Sequence, residues 1–140
     1  MAKNFNFVLS TPDAVLFDGQ SEYVGLPTPN GEIGIMADHV PLVGLISPGV
    51  MKIIAGKDEK LLAVGGGFVK VKPGIVKVYA QTGEYAESID EQRAIEAQKE
   101  ALKLMRAKAD RVSLADATAL LERNIARLKT IEHKKRRRRT

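Results

Sequence analysis

The 140-residue sequence contains no cysteine and no tryptophan, and only 5% of its residues are aromatic. The lack of cysteine excludes a disulfide framework and a thiolate metal site, and it fits a reducing compartment. No stretch approaches the ~20 consecutive apolar residues that span a bilayer. The first residues also lack the basic and apolar regions of a signal peptide. We therefore expect a soluble or peripheral protein with a core of Val, Ile, Leu and Ala.

Two further absences divide the chain near residue 87. Residues 1–87 contain no Arg, and their 7 Lys and 9 acidic residues give a net charge of −2. Residues 88–140 contain no Gly and no Pro, and their 15 basic and 8 acidic residues give a net charge of +7. Because Gly and Pro disfavour helix interiors, the second part is predicted to be helical and the first part to be a separate unit.

Short apolar runs predict a β-sandwich over residues 1–87. Turn-forming Gly, Pro, Asp and Asn separate runs of four to six residues at a spacing of roughly ten residues, which favours a sandwich or barrel. The runs are residues 6–9, 14–17, 23–26, 41–46, 50–54, 61–64, 68–71 and 75–80. Alternation of apolar residues with Lys70 and Lys77 is typical of half-buried antiparallel strands. The predicted fold class is α+β, an N-terminal antiparallel β-sandwich followed by a C-terminal two-helix hairpin.

The hairpin is predicted over residues 88–133. Ser88 and Glu91 form a capping-box pattern, a helix extends to about Ala109, residues 110–112 connect, and Ser113 is a weaker cap. The predicted seam consists of Ala94, Ala97, Ala101 and Leu104 facing Leu114, Ala117, Leu121, Asn124, Leu128 and Ile131. At ~25 cal/mol per Å² an alanine-rich seam contributes only a few kcal/mol. A weakly held hairpin can leave its partner domain, as a conformational switch requires.

Few residues with catalytic or metal-binding chemistry are present. The two histidines, His39 and His133, are not part of any cluster of three or four metal ligands, so no metal site and no catalytic site is expected. The three glycines at residues 65–67 precede a strand pattern, whereas a phosphate-binding loop opens a helix. A turn or bulge is therefore predicted there.

Cations are concentrated in residues 134–139, predicted as a separate basic tail together with Thr140. This run contributes six positive charges, without which the chain has a net charge of −1. It is either a solvated segment or a contact for an acidic protein surface or nucleic acid, although stacking aromatics are absent around it. Arg123 and Arg127 are four residues apart and share a helix face, which is either solvated or an anion site.

Three motifs, in order, resemble the epsilon subunit of bacterial F-type ATP synthase. They are GEIGIMADHVPL at residues 31–42, GGFVKV at residues 66–71 and IDEQRA at residues 89–94. The resemblance covers nearly the whole chain. It implies a non-catalytic subunit of the central stalk (rotor) of a proton- or sodium-translocating enzyme, on the cytoplasmic face of the bacterial inner membrane. The membrane contact is through the complex, and no nucleic acid is implied.

The resemblance also implies partners. The sandwich would bind the gamma subunit and the c-ring, the latter through a loop over residues 32–39 that includes Glu32, Ile33, Gly34, Asp38 and His39. The hairpin would fold on the sandwich or extend to the alpha and beta subunits and inhibit ATP hydrolysis. The basic residues Lys134, Lys135, Arg136 and Arg137 would then contact the catalytic head.

No cofactor is required by the resemblance, but some relatives bind regulatory ATP on the folded hairpin. Carried over by position, that site comprises Glu84, Ile89, Asp90, Arg93, Ala94, Arg123 and Arg127. This chain has Glu100 where ATP-binding relatives have a further Arg. A carboxylate repels phosphate, so weak or absent ATP binding is expected.

Two other function classes remain open from the residues. A nucleic-acid adaptor would bind through residues 128–140 in a salt-sensitive manner, but it leaves the first 87 residues unexplained. An enzyme with a composite site is disfavoured because His is scarce and Cys is absent.

Overall fold

The computed structural model describes residues 3–106 and 111–139, with an N-terminal β unit and two C-terminal helices. The strands are β1 (Phe5–Ser10), β2 (Val15–Ser21), β3 (Tyr23–Thr28), β4 (Gly31–Met36), β5 (Leu42–Ala55), β6 (Asp58–Lys72), β7 (Ile75–Ala80) and β8 (Gly83–Tyr85). A single 3-10 turn (Ala86–Ser88) leads to helices α1 (Glu91–Arg106) and α2 (Arg111–Arg139). The predicted class, a β-sandwich followed by a two-helix region, is confirmed.

The strands form one hydrogen-bonded path in the order β2-β1-β7-β6-β5-β3-β4, with β8 added to β6. All pairs are antiparallel except β1 with β7, which run parallel. The long strands β5 and β6 pair with each other along nearly their whole length. On its other side, β6 pairs with β8 from Leu62 to Val64 and with β7 from Gly67 to Lys72. The β5–β6 hairpin therefore contributes to both layers of the sandwich.

The turn residues in the middle of β5 and β6 bend these strands without ending them. The predicted runs are interrupted between residues 46 and 50, at Pro48, and at the glycines of residues 65–67, but both places lie within continuous strands. Gly66 and Gly67 have φ values of 102° and 151°, which side-chain-bearing residues rarely adopt. Pairing across the bend is between Ile46 and Gly67 and between Pro48 and Gly65. The glycines therefore let one hairpin pass from one layer to the other.

Strand β4 was not predicted. Its residues were assigned to a loop over residues 32–39, but the strand pairs with β3 from Gly31 to Met36. Only the end of that segment, around Asp38 and His39, forms a turn. In β4, Ile33 and Ile35 alternate with Gly34 and Met36 and not with polar residues. The sequence therefore lacks the apolar–polar alternation that indicates a half-buried strand.

Alternating side chains fill the core between the layers. Val69 and Val71 of β6 and Val76 and Val78 of β7 are buried, while Lys70 is exposed, as the alternation predicts. The buried core also contains Phe5, Phe7, Leu9, Val24, Leu26, Ile35, Ile46, Met51, Ile53, Leu62, Val64 and Ala80. Aliphatic side chains therefore fill most of the core, as the scarcity of aromatic residues requires.

Helix α1 begins two residues later than predicted. The Asp90 side chain accepts a hydrogen bond from the backbone N–H of Arg93 (3.2 Å), which caps the helix. Ser88, the predicted cap, ends the 3-10 turn instead. An Asp in the cap position has the same capacity to accept this bond as Ser, so the sequence pattern alone does not choose between them.

Helix α2 is longer than predicted at both ends. It already includes Arg111, so the connection predicted at residues 110–112 and the cap at Ser113 do not hold. Residue 110 lies outside the described residues. The helix also continues to Arg139 and takes in the basic residues that were predicted as a separate tail. Cations are favourable in the last turns of a helix because they interact with its negative C-terminal end.

Small side chains form the contact between the two helices. Ala94, Ala101 and Ala117 are at most 3% exposed, whereas Leu104 is 45% exposed. The predicted alanine seam is therefore present, but Leu104 does not belong to its buried part. Asn124 and Ile131, both in the predicted stripe, are buried.

The bend in β6 generates a first prediction. A Cβ on Gly67 would lie 1.9 Å from the carbonyl oxygen of Tyr79, whereas a Cβ on Gly74 (φ 78°) meets no heavy atom within 4 Å. We expect Gly67→Ala to lower the free energy of unfolding by more than about 3 kcal/mol. The control Gly74→Ala has backbone strain but no clash, and should cost about 1–2 kcal/mol. Denaturant unfolding measures both free energies of unfolding. Equal losses for the two variants would contradict the close approach of Gly67 to the backbone of β7.

Candidate functional site

Helix α2 lies on the half of the β5–β6 hairpin that precedes the bend in β6. It contacts both strands. Leu61 and Ala63 of β6 are 3% and 5% exposed but lie on the opposite face from the core residues Leu62 and Val64. Because adjacent residues of a strand point to opposite faces, a second layer must cover Leu61 and Ala63. That layer is helix α2.

An ion pair between Glu84 and Arg127 joins the sandwich to the hairpin. Nη2 of Arg127 donates a hydrogen bond to Oε1 of Glu84 (2.9 Å), and Nε lies 2.6 Å from Oε2. The N–H of Nε is not aligned with an acceptor, so the second contact is a charge contact and not a hydrogen bond. The side chains are only 18% and 26% exposed, so water screens their attraction incompletely.

Asn124 supports this pair from the helix interface. It is fully buried, and its Nδ2 donates to the carbonyl of Leu120 (2.8 Å). Its Oδ1 accepts a hydrogen bond from Nη1 of Arg127 (3.3 Å). The predicted seam position of Asn124 thus has a polar role, because it orients the guanidinium toward Glu84.

The seven residues carried over as a nucleotide site have different environments. Ala94 is buried, Ile89 is partly buried in extended backbone, and Asp90 forms the cap of α1. Arg93 is 84% exposed and its Nε lies 3.7 Å from the Asp90 carboxylate. Arg123 and Glu100 are exposed. Among these residues the structure pairs Glu84 with Arg127 and Asp90 with Arg93.

Basic residues near the end of α2 contact the sandwich and the start of α1. Nζ of Lys135 lies 3.1 and 3.2 Å from the two carboxylate oxygens of Glu91. Nη1 of Arg137 donates to the backbone carbonyl of Glu59 (2.8 Å), and its Nη2 lies 3.9 Å from Glu87. The partners Glu59 and Glu87 were not among the predicted site residues. The signal available was a series of acids, Glu84, Glu87 and Glu91, before a positively charged helical segment.

The predicted c-ring loop is divided between two surfaces. Asp38 and His39 line a cavity of about 350 Å³ together with the β6–β7 turn. Asp38 has a φ of 64° and forms an ion pair with Lys3 (3.1 Å). By contrast, Glu32 lines a cavity with His133 and Arg137 of α2. Ile33 packs on the core, and Gly34 lies against the ring of Tyr23.

An apolar surface remains exposed on the other half of the β5–β6 hairpin. Val43 and Leu45 of β5 are 70% and 68% exposed, and Phe68 and Tyr79 are 44% and 41% exposed. Leu45 is paired with Phe68 and Phe68 with Tyr79 across the sheet, and the two rings stack with centroids 4.9 Å apart. Contiguous apolar surface of this kind is typical of a binding face.

Tyr85 connects the site segment to the sandwich. Its hydroxyl donates to the carbonyl of Leu16 (2.6 Å). Burial, and then the nearby negative charge of Glu87, raise the pKa of the Tyr85 hydroxyl. The hydroxyl therefore remains a neutral donor to a higher pH than an exposed tyrosine would, and its hydrogen bond ties β8 to β2.

Neither a metal site nor a membrane-spanning helix is present in the described part of the chain. Within residues 3–106 and 111–139, no group of three or more His, Cys, Asp or Glu could hold a metal ion. No helix in the described part of the chain is both long and apolar enough to cross a membrane.

Comparison with known proteins identifies similar sequences. The β-sandwich domain of the delta/epsilon chain of ATP synthase matches residues 4–86. The ATP synthase epsilon chain of Chromobacterium violaceum is 41% identical over 132 residues, which are 93% of this chain and 94% of that protein. The epsilon chain of Shouchella clausii is 37% identical and covers 89% of this chain and 92% of its own length.

Two solved structures share the fold. A chain in the mitochondrial ATP synthase of Euglena gracilis, from an OSCP/F1/c-ring structure, has a TM-score of 0.79 at 22% identity and covers 90% of this chain and 79% of its own. A chain from the central stalk and c-ring of the Tetrahymena thermophila mitochondrial ATP synthase has a TM-score of 0.58 at 12% identity, covering 92% and 97%. At 22% and 12% identity, these similarities show a shared fold and do not by themselves assign a function.

The Glu84–Arg127 pair generates a second prediction. Glu84→Gln and Arg127→Gln should each lower the free energy of unfolding by about 1–3 kcal/mol, because each leaves a partly buried charge without its partner. The double variant should lose less than the sum. Arg123→Gln removes the same charge from an exposed position and should change stability by less than about 0.5 kcal/mol. Additive losses in denaturant unfolding, followed by the helical circular dichroism signal, would contradict a direct interaction.

Proposed function

The chain belongs to the ATP synthase epsilon family, and from this we propose that it is a non-catalytic rotor subunit of a proton- or sodium-translocating F-type ATP synthase. In this proposal it links the gamma subunit to the c-ring, and its helical hairpin restrains ATP hydrolysis. It would lie on the cytoplasmic face of the bacterial inner membrane and reach the membrane only through the complex. The observation that carries the regulatory part is the ion-paired contact of helix α2 with the sandwich.

Two faces of the sandwich suit the two stalk partners. The exposed apolar surface of Val43, Leu45, Phe68 and Tyr79 offers the hydrophobic centre that a stable protein interface needs, and we assign it to the gamma subunit. The exposed turn residues Asp38 and Val40 project at another edge, beside the β6–β7 turn. We assign this edge, with His39, to the c-ring. Glu32, Ile33 and Gly34 contribute only through strand β4, which positions the turn.

The helical hairpin would act as the regulatory element. Small, buried alanines join its two helices, and helix α2 contacts β5 and β6 of the sandwich. The Glu84–Arg127 ion pair ties α2 to strand β8, so part of what holds the hairpin in place is electrostatic. In the extended state, helix α2 would reach the alpha and beta subunits. Its cations Lys134, Lys135, Arg136 and Arg137 would then contact acidic surface of the catalytic head.

Removal of the hairpin tests this regulation. A chain that ends at Glu87 keeps all eight strands and should still assemble with the gamma subunit. The assembled enzyme should hydrolyse ATP at least as fast as the enzyme with the full chain, because the inhibitory element is absent. Hydrolysis by purified complexes of equal subunit content is the measurement. Slower hydrolysis with the truncated chain would contradict the inhibitory role.

No cofactor is required in the proposed function, and ATP would be at most a weak regulatory ligand. Arg127 is already paired with Glu84, so a triphosphate must compete with a carboxylate for this guanidinium. Glu100 adds further repulsion. Because each tenfold change in affinity corresponds to about 1.4 kcal/mol, these two carboxylates together account for a large loss of affinity.

Isothermal titration of the full chain with ATP measures this expectation. Binding should be in the high micromolar to millimolar range or undetectable. Glu100→Arg should tighten it, and Arg123→Ala or Arg127→Ala should abolish it. Low micromolar binding by the unmodified chain would contradict the effect assigned to these carboxylates, and an unchanged affinity of Glu100→Arg would show that these residues do not form a nucleotide site.

A further inference from the structure

We propose that the basic end of helix α2 is an electrostatic latch that holds the hairpin in its folded position. The latch consists of Lys135 and Arg137. They bind an acidic strip formed by the side chains of Glu87 and Glu91, and Arg137 also binds the backbone carbonyl of Glu59. It rests on the proposed function in one respect, since a latch is useful only if the hairpin moves. The resemblance assigns these cations only to an extended state.

The acidic strip lies where the chain passes from sandwich to hairpin. Its residues Glu87 and Glu91 lie in the 3-10 turn and in the first turn of α1. Glu84, of the inner ion pair with Arg127, lies three residues before Glu87 in β8. Each of the three is paired with a cation from α2: Glu84 with Arg127, Glu87 with Arg137 and Glu91 with Lys135. These three ion pairs all bridge α2 to this connecting segment. Their common direction indicates that they position α2 as a set.

Arg137 also binds the sheet directly. Strand β8 pairs with β6 from Leu62 to Val64. Within residues 3–106 and 111–139, the part of β6 before Leu62 has no strand neighbour on that side. The Arg137 guanidinium donates to the carbonyl of Glu59 at 2.8 Å in this uncovered part. A hydrogen bond from a charged donor is stronger than one between neutral groups. Arg137 therefore fixes the end of α2 to the sandwich, in addition to its contact with Glu87.

The two latch pairs are more exposed than the inner Arg127–Glu84 pair, so the three pairs should open in a fixed order. The side chains of Arg127 and Glu84 are 18% and 26% exposed, whereas those of Lys135 and Glu91 are 57% and 47% exposed. Arg137 and Glu87 are 35% and 57% exposed. Salt screens exposed charges far more than buried ones. The basic end of α2 should therefore detach first, while the inner pair still holds the helix.

The latch makes two uses of the same cations mutually exclusive. While Lys135 and Arg137 bind the acidic strip, they cannot at the same time bind acidic surface of a partner subunit. An acidic partner must therefore compete with Glu87 and Glu91, and its binding would favour release of the hairpin. The coupling follows from exchange of one set of carboxylates for another at the same guanidinium and ammonium groups.

Amide hydrogen exchange in the isolated full-length chain tests the latch. The amides of residues 117–131 report detachment of α2 and lie away from the substituted turn. Lys135→Gln and Arg137→Gln should each speed their exchange by about 1.5- to 5-fold at low salt, as expected for one partly exposed ion pair. Arg136→Gln is the matched control. It removes the same charge, but Arg136 pairs with Glu132 of its own helix (2.8 Å). It should leave this exchange unchanged.

Charge exchange and salt make the test specific. The double variant Lys135→Glu with Glu91→Lys should return exchange to near the wild-type rate. Raising the ionic strength from about 0.01 M to about 1 M shortens the screening length from about 30 Å to about 3 Å, and should remove the difference between Arg137→Gln and Arg136→Gln.

Equal exchange of the Lys135, Arg137 and Arg136 variants at low salt would overturn the latch, as would an effect of Arg137→Gln that salt does not alter. Because the isolated chain is used, a negative result here leaves the proposed stalk function intact. Conversely, a failed hydrolysis test of the truncated chain would reject the regulatory proposal whatever the exchange data show.

Discussion

The ion pair between Glu84 and Arg127 is the contact on which the arrangement of the two units depends. Alanines form most of the buried helix contact, and they bring the helices close without contributing much apolar area. The placement of the helices on the sandwich depends on other contacts. The partly buried pair joins α2 to β8, and Asn124 orients its guanidinium, so the pair constrains how α2 lies over β5 and β6. Breaking it leaves two partly buried charges with reduced solvation, so this pair should be the last of the three ion pairs of α2 to open.

The long β5–β6 hairpin gives the sandwich two different outer faces. On one side of the bend at Gly66 and Gly67, helix α2 covers Leu61 and Ala63. On the other side, Leu45 and Phe68 stay exposed and available to a partner. One strand pair thus has one face that α2 covers and one apolar face that stays exposed. A moving hairpin need not disturb the surface that we propose for the gamma subunit, since the two lie on different halves of the same strands.

Regular apolar alternation made the fold predictable, while the site depended on contacts between distant residues. Val69, Lys70 and Val71 revealed their strand because alternation follows directly from strand geometry. Strand β4 was missed because Gly31 and Gly34 weaken that pattern, and the cap of α1 was misplaced because Asp90 and Ser88 have similar capping ability. The resemblance supplied Glu84 and Arg127, but not that they bind each other. The contact of Glu59 with Arg137 could not be predicted from the sequence, because it uses a backbone carbonyl, which every residue type has.

We propose that the hairpin exists in a folded and a released position. Because the chain has no cysteine, two introduced cysteines can carry spin labels without removal of native thiols. Lys57 of the β5–β6 turn and Lys129 of α2 are exposed positions for such a pair, and Asp13 with Lys57 is a control pair within the sandwich. Pulsed dipolar spectroscopy should give one short Lys57–Lys129 distance in the isolated chain and a second, longer one in the assembled enzyme, with the control distance unchanged. A single identical Lys57–Lys129 distance in both states, under hydrolysing and non-hydrolysing conditions, would contradict the account.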